Sequence, residues 1–169
     1  MESAQIQIRR LMPADAALFR DIRLEGLRLN PEAFGSTFEA ENARPVAFFA
    51  ERLSGSKVYG AFQGSELVGI AALLIGQGQK EAHKGRLVGM YVRPASRKSG
   101  VGQRLVEAII EVARQSVEVV QLSVVRDNEA ARRLYERLGF VEWGVEKNAL
   151  KQDGRYYDEV HMANDLKSE

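Results

Sequence analysis

The stretch RLVGMYVRPASRKSGVGQRLVEAIIEVARQS, residues 86–116, constrains this chain more than any other. It reads as a strand, a short loop of small and basic residues, and a long amphipathic helix. Leu87, Val88, Met90, Tyr91 and Val92 form a short apolar run bounded by charge and by Pro94, the profile of a buried strand. Pro94 ends the pairing because it has no N–H to donate. Beyond the loop, Val101, Leu105, Ile109 and Val112, flanked by Val106, Ile110 and Ala113, recur at helical spacing. Gly100 and Gly102 let the backbone approach a ligand closely, and the free N–H groups of the first helical turn point into the same loop. With the positive end of the helix dipole and the charges of Arg97 and Lys98, the loop suits an anion such as phosphate. A tight strand-to-helix turn that binds nothing would carry the same two glycines.

Two phosphate-loop patterns are absent. No G-x-x-x-x-G-K-[ST] occurs, and Leu105 stands where a dinucleotide fingerprint needs its third glycine. What remains is R-x-x-G-x-G (Arg97, Lys98, Ser99, Gly100, Val101, Gly102) directly after GMYVRP. This pattern resembles the acyl-CoA-binding loop of the GNAT family of N-acetyltransferases. A second stretch, VVRDNEAARRLYERLGF at residues 124–140, is similar to the family's N-x-x-A-x-x-x-Y-x-x-x-G-F. Asn128, Ala131, Tyr135, Gly139 and Phe140 occupy the matching positions.

Composition narrows the function classes. A chain of 169 residues suits a single domain, 1–169, with a sizeable core. A net charge of +1 gives no argument for a nucleic acid or an acidic membrane as partner. There is no cysteine, which removes disulfides, thiol nucleophiles and thiolate metal sites. MESAQIQIRR has no apolar signal region, and no stretch reaches the ~18 apolar residues of a membrane span. A soluble cytoplasmic protein without a metal is the expectation.

In chain order, Ile6 and Ile8 alternate with polar residues as a first strand. Pro13 and Asp15 mark a helix whose stripe is Ala14, Leu18, Ile22 and Leu29, ended by Asn30-Pro31. Residues 31–44 carry Phe34, Phe38 and the acids Glu32, Glu39 and Glu41, and Pro45 opens a short helix through Leu53. Lys57–Phe62 and Leu67–Ile75 flank a hairpin turn, and a polar loop over residues 76–85 leads into the central strand. After the central helix come a strand over Val117–Val125, a compact helix with Asn128 near its N-cap, and a hairpin turning at Asp153-Gly154. In the hairpin's first arm Val141, Trp143 and Val145 alternate with Glu142, Gly144 and Glu146.

This order matches the GNAT acyl-CoA N-acyltransferase fold, an α/β architecture with a mixed, mostly antiparallel sheet and flanking helices. The resemblance implies acetyl-CoA as acetyl donor and direct attack by a primary amine, with no covalent enzyme intermediate. Met90 and Val92 would then offer backbone groups to the pantetheine arm, and the amides from Arg97 to Gly102 would take the pyrophosphate. Asn128 would bond the pantetheine, although an N-cap role accounts for it equally simply. Tyr135, on an apolar helix stripe, is either core or the acid that protonates the departing thiolate. Phe34 and Glu39 are the acceptor-binding candidates. An amine near pKa ~10 must lose a proton before attack, and Glu32, Glu39, Glu41, His83 and Glu159 qualify as bases by residue type only. The expected acceptor is a small-molecule amine or amino acid. A peptide amine and a non-catalytic acyl-CoA sensor are the alternatives, and a homodimer is left open.

Overall fold

The computed structural model describes residues 5–167. Seven strands form one sheet: β1 (Ile6–Arg10), β2 (Lys57–Gln63), β3 (Glu66–Ile75), β4 (Lys84–Val92), β5 (Val119–Val125), β6 (Val141–Gln152) and β7 (Arg155–Asp165). Their order is β1-β2-β3-β4-β5-β7-β6, and every neighbouring pair is antiparallel except β4 and β5. The helices are α1 (Ala16–Leu29), α2 (Phe38–Asn42), α3 (Val46–Gly55), α4 (Val101–Arg114) and α5 (Glu129–Arg137). Two apolar layers result. One joins α4 and α5 to the sheet through Leu105, Ile109, Leu122, Tyr135, Phe140 and Met162. The other joins α1 and α3 through Phe19, Ile22, Phe49, Leu53, Ile70 and Tyr91. The architecture is the GNAT fold expected from the motifs.

The expected α1 stripe is out of phase. Ile22 is buried, but Leu18 and Leu29 are 42% and 50% exposed, and the buried face runs through Ala16, Phe19, Ile22, Gly26 and Leu27. The chain enters α1 through a 3₁₀ turn at Pro13–Asp15, whose tighter winding rotates the face relative to an α-helix counted from Pro13. β5 begins at Val119, not Val117, because the N–H groups of Ser116 and Val117 close the last turn of α4 onto Ala113 O (3.0 and 2.8 Å). Val141, Trp143 and Val145 lie in β6, an edge strand, with their side chains exposed. Among the described residues no helix is long and apolar enough to cross a membrane.

The second motif builds a self-contained helix. Asn128 Oδ1 accepts from Ala131 N (3.2 Å), capping α5 at its start. At its end Gly139 N donates to Glu136 O (3.1 Å) and Phe140 N to Tyr135 O (3.0 Å), the paired bonds of a Schellman cap. Gly139 has φ +100, and a Cβ there would lie 3.1 Å from Asn164 Nδ2, which itself donates to Leu138 O. Gly139→Ala should therefore cost about 1–2 kcal/mol, the penalty of a left-handed L-residue, read as a lower denaturant midpoint.

Candidate active site

β4 changes partner halfway along its length. Lys84, Gly85 and Arg86 pair with Val119, Val120 and Gln121 of β5, and the parallel ladder stops there. Past that point the strands separate, so β4 from Val88 to Val92 is paired only with β3. The register against β3 slips between Ile70 and Ala72, and Gly89 takes φ +62. This bulge shifts the side-chain alternation: Leu87 before it and Met90 and Val92 after it all pack toward α4 and α5. Tyr91 turns to the α1 layer, where its hydroxyl donates to Glu25 Oε2 (2.8 Å). Arg93 N donates to Val68 O of β3 (2.8 Å), so alternation turns the backbone groups of Met90 and Val92 away from β3 toward the gap, where Val92 O already accepts from Arg97 Nε (2.9 Å). Of the run Leu87, Val88, Met90, Tyr91 and Val92 that reads as a buried strand, Leu87 and Tyr91 are buried, whereas Val88, Met90 and Val92 are only half-buried because they border the gap.

The gap is a cavity of about 660 Å³. Met90, Val92, Arg97, Asn128 and Tyr135 line it, so residues from both motifs meet there. Tyr135 is buried against Phe140 (ring centroids 5.7 Å apart), and its hydroxyl has no hydrogen-bond partner among the described residues. Burial pushes its pKa up to about 12, so it remains a proton donor at neutral pH. Asn128 spends Oδ1 on the cap and borders the cavity.

The loop from Arg97 to Gly102 leads away from this cavity. Lys98 and Gly100 have φ +63 and +86, and the amides of Lys98, Ser99, Gly100, Val101, Gly102 and Gln103 find no acceptor among the described residues. A run of unpartnered N–H groups at a helix start suits an anion. Val101 has its side chain in the core, so only its amide faces the loop. Gly102 marks close packing: a Cβ there would lie 3.2 Å from Met90 Cε and 3.4 Å from Leu134 Cδ2. Arg97 is held by bonds within the protein. Its Nε donates to Val92 O (2.9 Å), its Nη2 to Asn30 Oδ1 (3.0 Å), and its own amide to Pro94 O (3.3 Å). It ties the end of α1 to β4, and since both acceptors are neutral its positive charge stays in the loop beside that of Lys98.

A second cavity, about 590 Å³, opens on the α1 side of the Gly89 bulge. Phe34 forms part of its wall, buried and tilted on Tyr91 at 6.5 Å, with the Arg23 guanidinium over its ring at 4.9 Å. Glu39 is exposed on α2 and lines neither cavity. The acid that folds inward is Glu41, which accepts two bonds from Arg23 (3.0 and 2.9 Å) and one from Arg52 (3.3 Å). Helix geometry decides this: Thr37 caps α2, which points Glu41 at α1 and Glu39 at solvent. Glu41 is thus compensated and not free to draw in a cation. Of the other candidate bases, Glu32 borders the first cavity and Glu159 both, while His83 lines neither. Among the described residues no three His, Cys, Asp or Glu side chains converge as a metal site.

The profile of the acetyltransferase (GNAT) family matches residues 24–140, which include the bulged strand, the glycine loop and the capped helix. The chain belongs to this family. It is an acetyl-CoA-dependent acetyltransferase by that membership. The enzyme is 34% identical over 112 residues to N-alpha-acetyltransferase RimI of Mycobacterium tuberculosis, covering 65% of this chain and 68% of that protein. Its fold superposes on a GNAT acetyltransferase from Streptococcus pneumoniae with a TM-score of 0.84 at 23% identity, over 96% of this chain and 99% of the other. It also superposes on a phosphinothricin acetyltransferase from Sinorhizobium meliloti, solved in complex with acetyl-CoA. That TM-score is 0.83 at 20% identity, over 95% and 88% of the two chains.

Proposed function

We propose that the enzyme is a cytoplasmic N-acetyltransferase that moves the acetyl group of acetyl-CoA onto a primary amine of a small molecule. The observation that carries this is the meeting of two cavities at the Gly89 bulge, one inside the β4–β5 wedge and one beside Phe34. In this reading the pantetheine arm lies in the wedge and completes the interrupted sheet on the backbone groups of Met90 and Val92. The Asn128 NH₂ group holds it from the α5 side. Amides from Lys98 to Gly102 take the pyrophosphate, and Lys98 adds its charge. The thioester then sits near Tyr135. An amine entering from the second cavity attacks the thioester carbonyl, the C–S bond breaks, and Tyr135 supplies the proton that leaves with CoA as thiol.

The acceptor assignment rests on shape and charge. A walled pocket of about 590 Å³ has the volume of small-ligand sites. Its lining mixes Arg23, Arg52 and Arg86 with Glu41 and Glu159, which suits an acceptor that carries an anionic group beside its amine. Similarity to RimI supports a second acceptor class, the N-terminal amine of a protein. Release of CoA, followed with a thiol reagent, separates the two. The chain has no cysteine to react with that reagent. Phosphinothricin and free amino acids should turn over at least 10-fold faster, by kcat/KM, than a peptide beginning with alanine. The reverse order would assign a peptide acceptor. Acetyl-CoA binding with no transfer to any of these amines would favour a sensor.

A further inference from the structure

The two cavities share Ala33, Leu87, Val88, Gly89, Ser123 and Glu159, so among the described residues Ser123 and Glu159 bring the polar side chains to their junction. Ser123 belongs to a hydrogen-bonded chain across four strands. Arg86 Nη2 lies 3.1 Å from Ser123 Oγ, Ser123 Oγ lies 2.8 Å from His161 Nδ1, and His161 Nε2 lies 3.2 Å from Glu146 Oε1. The ends of the chain set its direction. Arginine can only donate and an ionised carboxylate can only accept. With a neutral imidazole, Ser123 Oγ accepts from Arg86 and gives its own hydrogen to Nδ1, while Nε2–H points to Glu146. The ring is held in that orientation by stacking on Trp143, 5.2 Å between centroids and 23° between planes. One lone pair of Ser123 Oγ remains for a donor at the junction of the two cavities.

We propose that Ser123 and His161 form the relay that removes the proton from the acceptor ammonium before it attacks. This rests on the acetyl transfer proposed above. The ammonium gives one proton to Ser123 Oγ, Ser123 passes its original proton to His161 Nδ1, and a neutral amine and an imidazolium result. Serine ends as it began, and no other reactant is needed. The charged groups around His161 fit the step. Glu146 on β6 receives Nε2–H, and Glu159, two residues along β7, pairs with Glu146 across the strands. Both stabilise an imidazolium. Arg86 from β4 acts on the Ser123 oxygen and favours loss of the hydroxyl proton. Glu159 then faces the ammonium directly and holds it at the junction.

Two measurements test the relay. The chain contains two histidines, so ¹⁵N-histidine spectra with His83→Gln for assignment isolate His161. Its neutral form should be the Nε2–H tautomer with Nδ1 as a hydrogen-bonded acceptor; an Nδ1–H tautomer overturns the proposal. In kinetics with phosphinothricin and the alanine peptide as probes, Ser123→Ala and His161→Gln should each lower kcat/KM by ~10²-fold at neutral pH. That deficit should shrink as pH approaches ~10, where the amine is already deprotonated, and acetyl-CoA affinity by calorimetry should not change. The double variant should be no worse than the weaker single one, because the two residues act as a unit. Ser123→Ala changes only one atom, so it serves even if loss of the stacked His161 ring impairs folding. A deficit independent of pH, or an alkaline-rescued deficit in Glu159→Gln alone, overturns the relay and leaves the acetyltransferase reading intact. No CoA release from the unsubstituted enzyme with either probe overturns both.

Discussion

Replacing Tyr135 with phenylalanine should lower turnover by ~10²-fold while leaving acetyl-CoA affinity and thermal stability nearly unchanged. The ring is what packs: it is buried, edge-on to Phe140 at 5.7 Å, and phenylalanine keeps that contact. The hydroxyl bonds to no described residue, so its removal orphans no partner. What is lost is a proton donor in the wedge, held protonated because burial raises its pKa to about 12. An interaction made mainly in the transition state lowers kcat and kcat/KM together. Steady-state rates and calorimetric titration on the same preparation check this. A Tyr135→Phe enzyme with full turnover across the pH range would remove Tyr135 as the acid and pass that role to solvent.

Glu41→Ala should be among the most destabilising single changes in the enzyme, at about 3–5 kcal/mol, because it strands the Arg23 guanidinium without its carboxylate. The side chains of Arg23 and Glu41 are only 13% and 5% exposed, and Arg52 makes the third contact. For a domain of this size the loss corresponds to a fall in Tm of roughly 10 °C. Replacing both partners with apolar residues, as in Arg23→Met with Glu41→Leu, should cost far less, since no charge is left buried alone. Acid titration gives a second check. Burial alone would raise the pKa of Glu41, but the hydrogen bond and charge of Arg23, with Ser36 and Arg52, hold it below the ordinary carboxylate value of 4.5. A depressed folded pKa contributes stability that is present above the unfolded value and lost as pH falls through the folded one. The stability gap between wild type and Glu41→Ala should thus be flat above about pH 6 and close at lower pH. A gap that persists unchanged at low pH would mean that packing, not charge, is what Glu41 supplies. Because the pair braces the 34–36 wall of the second cavity, acceptor KM should rise in Glu41→Ala while acetyl-CoA affinity holds.

Local rules made much of this enzyme legible in the chain. The start of α4 at Val101, the cap at Asn128, the left-handed Gly139 with Phe140 folded back, and the Asp153-Gly154 hairpin all depend on residues within a few positions of one another. Each is decided by backbone sterics and short hydrogen bonds, which a sequence displays directly. The two motifs are such local units, and with their separation they were enough to indicate the family.

The shape of the two cavities was decided only by the tertiary structure. The wedge exists because β4 and β5 stop pairing at Arg86 and Gln121, and strand register is a long-range property absent from either strand's composition. Arg97 reads as a phosphate ligand by its place in the motif, yet it is drawn to Asn30 and Val92, partners brought near by α1. Glu39 and Glu41 are equivalent as letters, and the packing of α2 on α1 alone selects Glu41 for burial. Ser123, Glu146 and His161 carry no motif and lie far apart in the chain. They meet because the β5–β7 and β7–β6 registers set Ser123 opposite His161, and His161 opposite the strand that carries Glu146. Side chains on one sheet face become neighbours only once those registers are chosen, and burial of the opposite face against α4 is what chooses them.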